Sequence, residues 1–488
     1  MSYLFKIAAF VIFGSFFFIN ILTLKDGHNW GDDFAQYIQH AVNLVEHKPY
    51  ASDISLDLRV VCPPGFPLLL SSVIYWSGVN FKVLKSLNIV FWAIGGLVTF
   101  ALAKRRLDLF GASVITLWFL TSPLFFFFKQ NILSDIPFMC FVLLSIWTFM
   151  KFEECQFKGS KDSSRLFLLL SIFCMSYSFL IRYAGVSLFL AVLLYNFINK
   201  RDWRVSLGFI LGLALSWSIA LRFSSSAMGY FDRTTVSLFH DWIWICWSNL
   251  TYSLDNILGL YISDQDLFSN ILAPSAAALF NDLITLLLLG NMGAFFYQLY
   301  QRKISIMGCF TLIYLMGIIF WPVHAGLRYL LPVMVPVTIY LITCIRPVWQ
   351  KFAVLIFIFL ILQNMFIIAA HFNFNDDDIY KREPLEMFQW VERHVKPGEA
   401  YMFSKPRVLG LLTHRIGHNF GTYPQDMSDW PKRIKPLRIK YLITDKGFER
   451  YTPYNNFCLR VDNYELYINL IWKNKMFKVF KVTLPADD

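Results

Sequence analysis

Two adjacent carboxylates, Asp32 and Asp33, open the stretch Trp30-Gly-Asp-Asp-Phe-Ala-Gln-Tyr-Ile-Gln-His-Ala-Val-Asn-Leu-Val45. Phe34, Tyr37, Ile38, Ala41, Leu44 and Val45 recur there at helical spacing, with Gln36, Gln39, His40 and Asn43 on the opposite face. This predicts an amphipathic helix that carries both acids at its N-terminus. A carboxylate in that position stays ionised and can accept a proton or a hydrogen bond. The same spacing also serves a purely local purpose, because Asp33 followed three residues later by Gln36 reads as a capping box. A carboxylate has two oxygens, so both roles can hold. A third acid, Asp135 in Leu133-Ser-Asp-Ile-Pro137, is open to the same two readings. Two arginines could face an anion: Arg182, alone inside a long apolar run, and Arg328, in His324-Ala-Gly-Leu-Arg-Tyr-Leu-Leu-Pro332. A guanidinium fork matches phosphate oxygens well, although an arginine at a span end can also simply reach for the interface. Lys129, near Asp135, is a weaker third cation. His414-x-x-x-His418 has helical ligand spacing, but Gly417 intervenes and no third ligand is evident, so no metal is expected there. The eight cysteines form neither a metal-like pair nor a disulfide framework. Asn249-Leu-Thr251 is a formal glycosylation sequon and is not expected to carry a glycan.

The elements that must position these residues are apolar. The chain has 488 residues, of which 56% are hydrophobic, 18% aromatic and only 16% charged, and its mean hydropathy is +0.49. Those values exclude an ordinary soluble enzyme and a disordered chain, and they point to a polytopic membrane protein. Eleven candidate spans follow from a bilayer ruler of about 20 residues: Leu4 to Leu24, Ser86 to Ala103, Gly111 to Phe127, Leu133 to Phe152, Leu166 to Leu180, Val186 to Ile198, Val205 to Leu221, Leu283 to Tyr300, Ile304 to Phe320, Leu330 to Ile345 and Phe352 to Ala370. The run Leu166 to Ile198 would be about 50 Å long as one helix, against a core of about 30 Å, so a hairpin turning at Arg182 fits better. Phe66 to Trp76, after Pro63-Pro64, is short enough to be re-entrant or interfacial. Lys and Arg then collect in every second loop, which places the N-terminus inside. Much of the net charge of +11 is thereby topological, and nucleic acid is not an expected partner. Three outward regions are long: Lys25 to Lys85, Arg222 to Asp282, and the tail from His371 to Asp488. In the tail, a helix at Pro384 to His394 and short runs at Ala400 to Phe403, Tyr441 to Thr444 and Met476 to Val482 predict a small α/β domain.

Asp33-x-x-x-Tyr37, then Ala41, then Lys48-Pro-Tyr50, then Pro63-Pro64-Gly-Phe-Pro67 resembles the first outer loop of integral-membrane glycosyltransferases with the GT-C fold. The branch it is most similar to includes protein O-mannosyltransferases and the bacterial aminoarabinose transferase that acts on lipid A. The resemblance covers roughly Leu4 to Ala370, and it is the order of short motifs on a matching topology that carries it. It implies a GT-C-like helical membrane domain over residues 1–370, with outer loops 25–85 and 222–282, and an extracytoplasmic α/β domain over 371–488. It also implies transfer of one sugar from a polyprenyl-phosphate carrier, within membrane lipid, to a glycan, lipid or protein acceptor outside a cell membrane, in a bacterium the inner one. The family's catalytic aspartate falls on Asp33, with Tyr37 as its partner and Asp32 as runner-up, because the second acid here precedes rather than follows. A second acidic position matches Asp135. Arg328-Tyr329-Leu-Leu-Pro resembles the carrier-phosphate region, with Arg182 and Lys129 as further cations. Where some relatives carry an acid before the prolines, this chain has Val61-Cys62, so no cofactor is certain, and a divalent metal remains open. Rival readings are a transporter or flippase of lipid-linked sugars, which would place ionisable groups at the midplane and show inverted repeats, and a polymerase or ligase using a pyrophosphate carrier.

Overall fold

A computed structural model of the protein describes residues 3–50, 62–223, 244, 246–252, 300–301, 304–321, 326–344, 347–373, 378–419, 435–445 and 468–483. The expected span Leu283 to Tyr300, apart from Tyr300 itself, and most of loop 222–282 lie outside them. The chain forms two compact units. The first comprises Met1–Leu24, Pro63–Phe66 and Lys85–Asn373, and the second Lys25–Cys62, Pro67–Leu84 and Phe374–Asp488.

The first unit is helical. In chain order its helices are α1 (Tyr3–Leu22), the greater part of α4 (Phe81–Ala103), α5 (Leu109–Leu120), α6 (Pro123–Phe128), α7 (Asp135–Phe157), α8 (Lys161–Ile181), α9 (Val186–Ile198) and α10 (Trp203–Phe223). Ile306–Ile319, Leu331–Cys344 and Pro347–His371 follow. Every expected span among the described residues falls on an apolar helix, and six stretches are long and apolar enough to cross a bilayer: Phe81–Ala103, Leu109–Phe128, Asp135–Phe157, Lys161–Ile181, Trp203–Phe223 and Gln350–His371. The others are shorter, so the count of eleven crossings does not follow from helix length alone. This is a multi-pass membrane protein.

Local chemistry sets the boundaries. Asp108 caps α5 by accepting from the Gly111 amide at 2.7 Å, and Pro123 opens α6 because it has no N–H to donate to the preceding turn. The single span expected at Gly111 to Phe127 is therefore broken at Thr121-Ser122. Helix α8 stops at Ile181. Arg182 is extended (φ −148°, ψ 133°), and a short turn at Tyr183–Gly185 leads into α9. The break anticipated from the length of the apolar run lies at that residue. Trp92 forms the middle of an aromatic core, stacking edge-on against Phe16 at 4.8 Å and donating from its indole to the Phe119 carbonyl at 3.2 Å. Polar groups gather at the ends of α7. Near its C-terminus Arg105, Lys151 and Lys158 converge on Glu154, while Asp135 starts the helix roughly 30 Å away along its axis. The expected sequon is closed to modification, since Asn249 is buried and its amide donates to the Ile319 carbonyl at 3.2 Å.

The second unit holds a five-stranded sheet in the order β2-β1-β3-β5-β4. Strand β1 (Ala400–Met402) runs parallel to both β2 (Ile416–His418) and β3 (Ile439–Asp445). Strand β5 (Phe477–Val482) is antiparallel to β3, and β4 (Ile468–Lys473) is antiparallel to β5. Met402, Ile439, Leu442, Ile468, Phe480 and Val482 form its core. Helices Arg382–His394 and Pro406–Thr413 belong to the same unit, as do α2 (Asp33–Val45) and the greater part of α3 (Gly65–Ser77). Trp30 lies among Phe388, Phe403 and Phe477, with ring centroids 5.8 to 5.9 Å away. The Ile379 amide donates to the His28 carbonyl at 3.2 Å, and the His28 ring stacks on Phe34 at 3.6 Å.

Candidate functional site

The Pro63-Pro64-Gly65-Phe66 motif acts on the backbone. A Cβ added at Gly65 would lie 2.6 Å from the Leu180 carbonyl carbon and 2.7 Å from the Ile181 nitrogen. Tyr177 donates its hydroxyl to the Gly65 carbonyl at 3.0 Å. Glycine here lets the chain lie directly on the last turn of α8, and the next residue of that turn is Arg182. Gly65→Ala is expected to destabilise the protein by about 1–3 kcal/mol, because the obstructing atoms are backbone and cannot swing aside. The thermal unfolding midpoint in detergent measures this.

Arg182, so fixed, makes an ion pair with Asp135 at 2.9 Å and donates from Nε to Ser134 Oγ at 3.0 Å. The Asp135 side chain is 1% exposed and that of Arg182 15%. Asp135 therefore does not cap α7: Ser134 occupies the N-cap position, without a side-chain capping bond, and the Asp135 carboxylate is directed to the arginine. On the other side, the Arg182 guanidinium lies 5.1 Å from the ring centre of Tyr329, and that of Arg328 lies 5.1 Å from the same centre. Arg328 donates to the Tyr329 hydroxyl at 3.3 Å, while Tyr314 donates to the Tyr329 carbonyl at 2.9 Å. The helical unit thus brings together Asp135, Arg182, Arg328 and Tyr329, with Ser134 and Tyr314 as supports that the sequence reading missed. Two guanidinium groups converge on one aromatic ring. Such a cluster suits an anion.

Lys129 does not join it. Its ammonium is buried, donates to the Asn20 carbonyl at 3.1 Å, to Asn20 Oδ1 at 2.7 Å and to Thr23 Oγ1, and lies 3.8 Å from the Phe126 ring centre. It fastens the end of α1.

In the second unit the loop-one acids meet Arg407. Its Nε lies 3.3 Å from Asp32 Oδ2 and its Nη1 lies 3.6 Å from Asp33 Oδ1. Arg407 comes from the Pro406–Thr413 helix and is 12% exposed. Burial raises the Asp32 carboxyl above its usual range, while Arg407, Lys405 and the Val408 amide oppose that rise. Asp33 is 47% exposed, against 17% for Asp32. Asp32 stands at the N-cap, in helical conformation and without a side-chain capping bond, and Asp33 is the first helical residue, one position beyond the place that a capping box with Gln36 assigns it. Tyr37 lies one turn further on and is half-buried. Nothing in the sequence singled out Arg407.

The rest of the motif builds the far end of α2. Tyr50 donates its hydroxyl to the Cys62 carbonyl at 3.0 Å, and its ring stacks on His40 at 4.3 Å. Burial pushes the Cys62 thiol up to about 12, so it stays protonated at neutral pH. Burial likewise lowers His40 to about 4 from an ordinary 6.5. Its folded pKa lies below its unfolded one, so the stability it contributes is complete above about 6.5 and is lost as pH falls through about 4. Wild-type protein is therefore expected to lose more thermal stability between pH 7 and 5 than His40→Gln, and equal losses would show that His40 is not the sensitive group.

Among the described residues no group of three His, Cys, Asp or Glu side chains could hold a metal ion. The carboxylates fit one poorly for a chemical reason: Asp135 and Asp32 are each paired with a guanidinium that a cation would have to displace. His414 ends its helix with a left-handed backbone, φ 53°, and His418 belongs to β2, so their spacing is not realised on one helix.

Residues 61–223, which hold the proline motif, Asp135 and Arg182, match the profile of the dolichyl-phosphate-mannose-protein mannosyltransferase family. No curated protein matches the chain by sequence. Among solved structures, ArnT from Cupriavidus metallidurans bound to undecaprenyl phosphate aligns with a TM-score of 0.60 at 10% identity, over 97% of this chain and 98% of that one. Its apo state gives 0.56 at 11% identity, over 98% of both chains. The oligosaccharyltransferase of Archaeoglobus fulgidus, in complex with zinc and sulfate, gives 0.57 at 13%, over 91% of this chain and 69% of that one. At such identities the likeness is one of fold. The chain has the GT-C fold of these membrane glycosyltransferases.

Proposed function

We propose that the protein is a membrane glycosyltransferase that moves a single sugar from a polyprenyl-phosphate carrier to a hydroxyl on an extracytoplasmic glycan, lipid or protein. The observation that carries this reading is the convergence of Arg182 and Arg328 on Tyr329, in a chain whose fold is that of a protein crystallised with undecaprenyl phosphate. A phosphate at a bilayer surface needs cations that do not also fill the carrier's apolar path, and arginines at helix ends meet both demands.

The chemistry proposed takes its residue roles from the family resemblance. Asp33 accepts the proton of the acceptor hydroxyl as its oxygen attacks the anomeric carbon opposite the phosphate. The bond from that carbon to the phosphate oxygen breaks, and its electron pair leaves with the polyprenyl phosphate. Arg328 and Arg182 stabilise the charge that develops there. Attack opposite the leaving group inverts the anomeric configuration. In this reading the basic loops face the cytoplasm and, in a bacterium, the protein lies in the inner membrane.

The test is purified full-length protein in lipid nanodiscs, supplied with a panel of polyprenyl-phosphate sugars, with release of free polyprenyl phosphate measured with and without chelator. Release from one donor, unaffected by chelator, is the expected result. No release from any donor, with passage of the intact lipid-linked sugar across a vesicle bilayer, would instead make the protein a transporter.

A further inference from the structure

Arg407 belongs to the C-terminal sheet unit, far along the chain from loop one, yet its guanidinium contacts both loop-one acids. The contacts are unequal. Nε faces the more buried Asp32 at 3.3 Å, and Nη1 faces the half-exposed Asp33 at 3.6 Å. The Val408 amide, in the first turn of Arg407's own helix, also works against the rise that burial causes at the Asp32 carboxyl. The segment just before these acids is fastened to the same unit by Trp30 among Phe388, Phe403 and Phe477 and by the bond from Ile379 to His28. Two neighbouring carboxylates repel each other, and their separation and direction depend on what lies between them. Here one planar fork does.

We infer that Arg407 is a positioning residue: it holds Asp32 as a fixed counter-charge and, through the other arm of its fork, aims Asp33 at the acceptor hydroxyl. Asp32 is then part of the mount and Asp33 is the group that meets substrate. A buried ion pair is a poor way to gain stability, since apolar side chains of similar volume often do better. It is a good way to fix a direction. The role in transfer rests on Asp33 acting as the proton acceptor, whereas the ordering of loop one by Arg407 stands without it.

Full-length protein in nanodiscs serves for the test, with Arg407→Met, Arg407→Lys, Asp32→Asn and the double variant Arg407→Met/Asp32→Asn. Arg407→Met is expected to lower kcat for polyprenyl-phosphate release about 10- to 100-fold, with the donor KM within about twofold, as misdirection rather than lost binding requires. The double variant should be no worse than the poorer single one by more than about threefold, because both remove one interaction. Arg407→Lys, with the charge but without the fork, should recover part of the loss. Independently of turnover, amide hydrogen exchange over residues 28–45 should quicken in Arg407→Met and not in Asp33→Asn. If Arg407→Met is not recovered folded, Arg407→Lys is read alone, and wild-type kcat in it overturns the proposal. Unchanged exchange, a kcat within twofold of wild type, or losses that multiply in the double variant overturn it too. Wild-type protein that releases no donor defeats the proposed transfer but leaves the exchange result to decide whether Arg407 orders loop one.

Discussion

Asp33→Asn is expected to lower sugar transfer by about 10²- to 10⁴-fold, the range over which a positioned proton acceptor contributes, while the donor KM stays within a few-fold of wild type. The amide keeps the size and hydrogen-bonding shape of the carboxylate but cannot take a proton at neutral pH. Asp33 is assigned the chemistry over Asp32 because it is the more accessible of the two, 47% against 17% exposed, and only an accessible oxygen can meet an incoming hydroxyl. Asp32→Asn should do less harm, since its carboxylate serves Arg407 rather than substrate. Single-turnover release of polyprenyl phosphate from both variants, beside equilibrium binding of the donor, measures the difference. If Asp33→Asn keeps full activity and Asp32→Asn loses it, the assignment is off by one residue.

What could be read from the sequence, and what could not, divides by range of interaction. Bilayer thickness is a fixed length, so hydropathy located the apolar helices, and a run too long for one crossing located the break at Arg182. The helix after Asp33 and the strands β1, β3 and β5 of the tail were visible, because apolar runs and helical spacing are local, whereas β2 and β4 were not anticipated. Spacing left capping and chemistry open at both acidic positions, because it cannot say whether a carboxylate turns inward to its own amides or outward to a distant arginine. Asp135 turns to Arg182 and Asp32 to Arg407. Lys129 shows the same limit, since its proximity in sequence to Asp135 did not disclose that Asn20 and Thr23 would claim its donors. Arg407 was invisible because it is one ordinary basic residue in a basic tail. Its role comes from its contacts to Asp32 and Asp33, in a segment that Trp30 fastens to that tail's aromatics.

The second large effect is expected at Arg182. Replacing it with Met leaves the Asp135 carboxylate, 1% exposed, buried without its counter-ion, and breaking such a pair from one side costs about 3–5 kcal/mol. Arg182→Met should therefore reach the membrane poorly and unfold early in detergent. Arg182→Met/Asp135→Asn removes both charges and should recover most of the fold, because a neutral amide tolerates the site far better than a lone carboxylate. The double variant then isolates the chemical role. If Arg182 also steadies the departing phosphate, the refolded double variant should remain slow, with kcat reduced by about 10²-fold, since charge stabilisation acts on the transition state. Arg328→Met, whose guanidinium rests on Tyr329, should show a similar kinetic loss with a smaller fall in thermal midpoint than Arg182→Met. A double variant that both folds and turns over like wild type would reduce Arg182 to a structural partner of Asp135 and leave Arg328 as the sole cation for the phosphate.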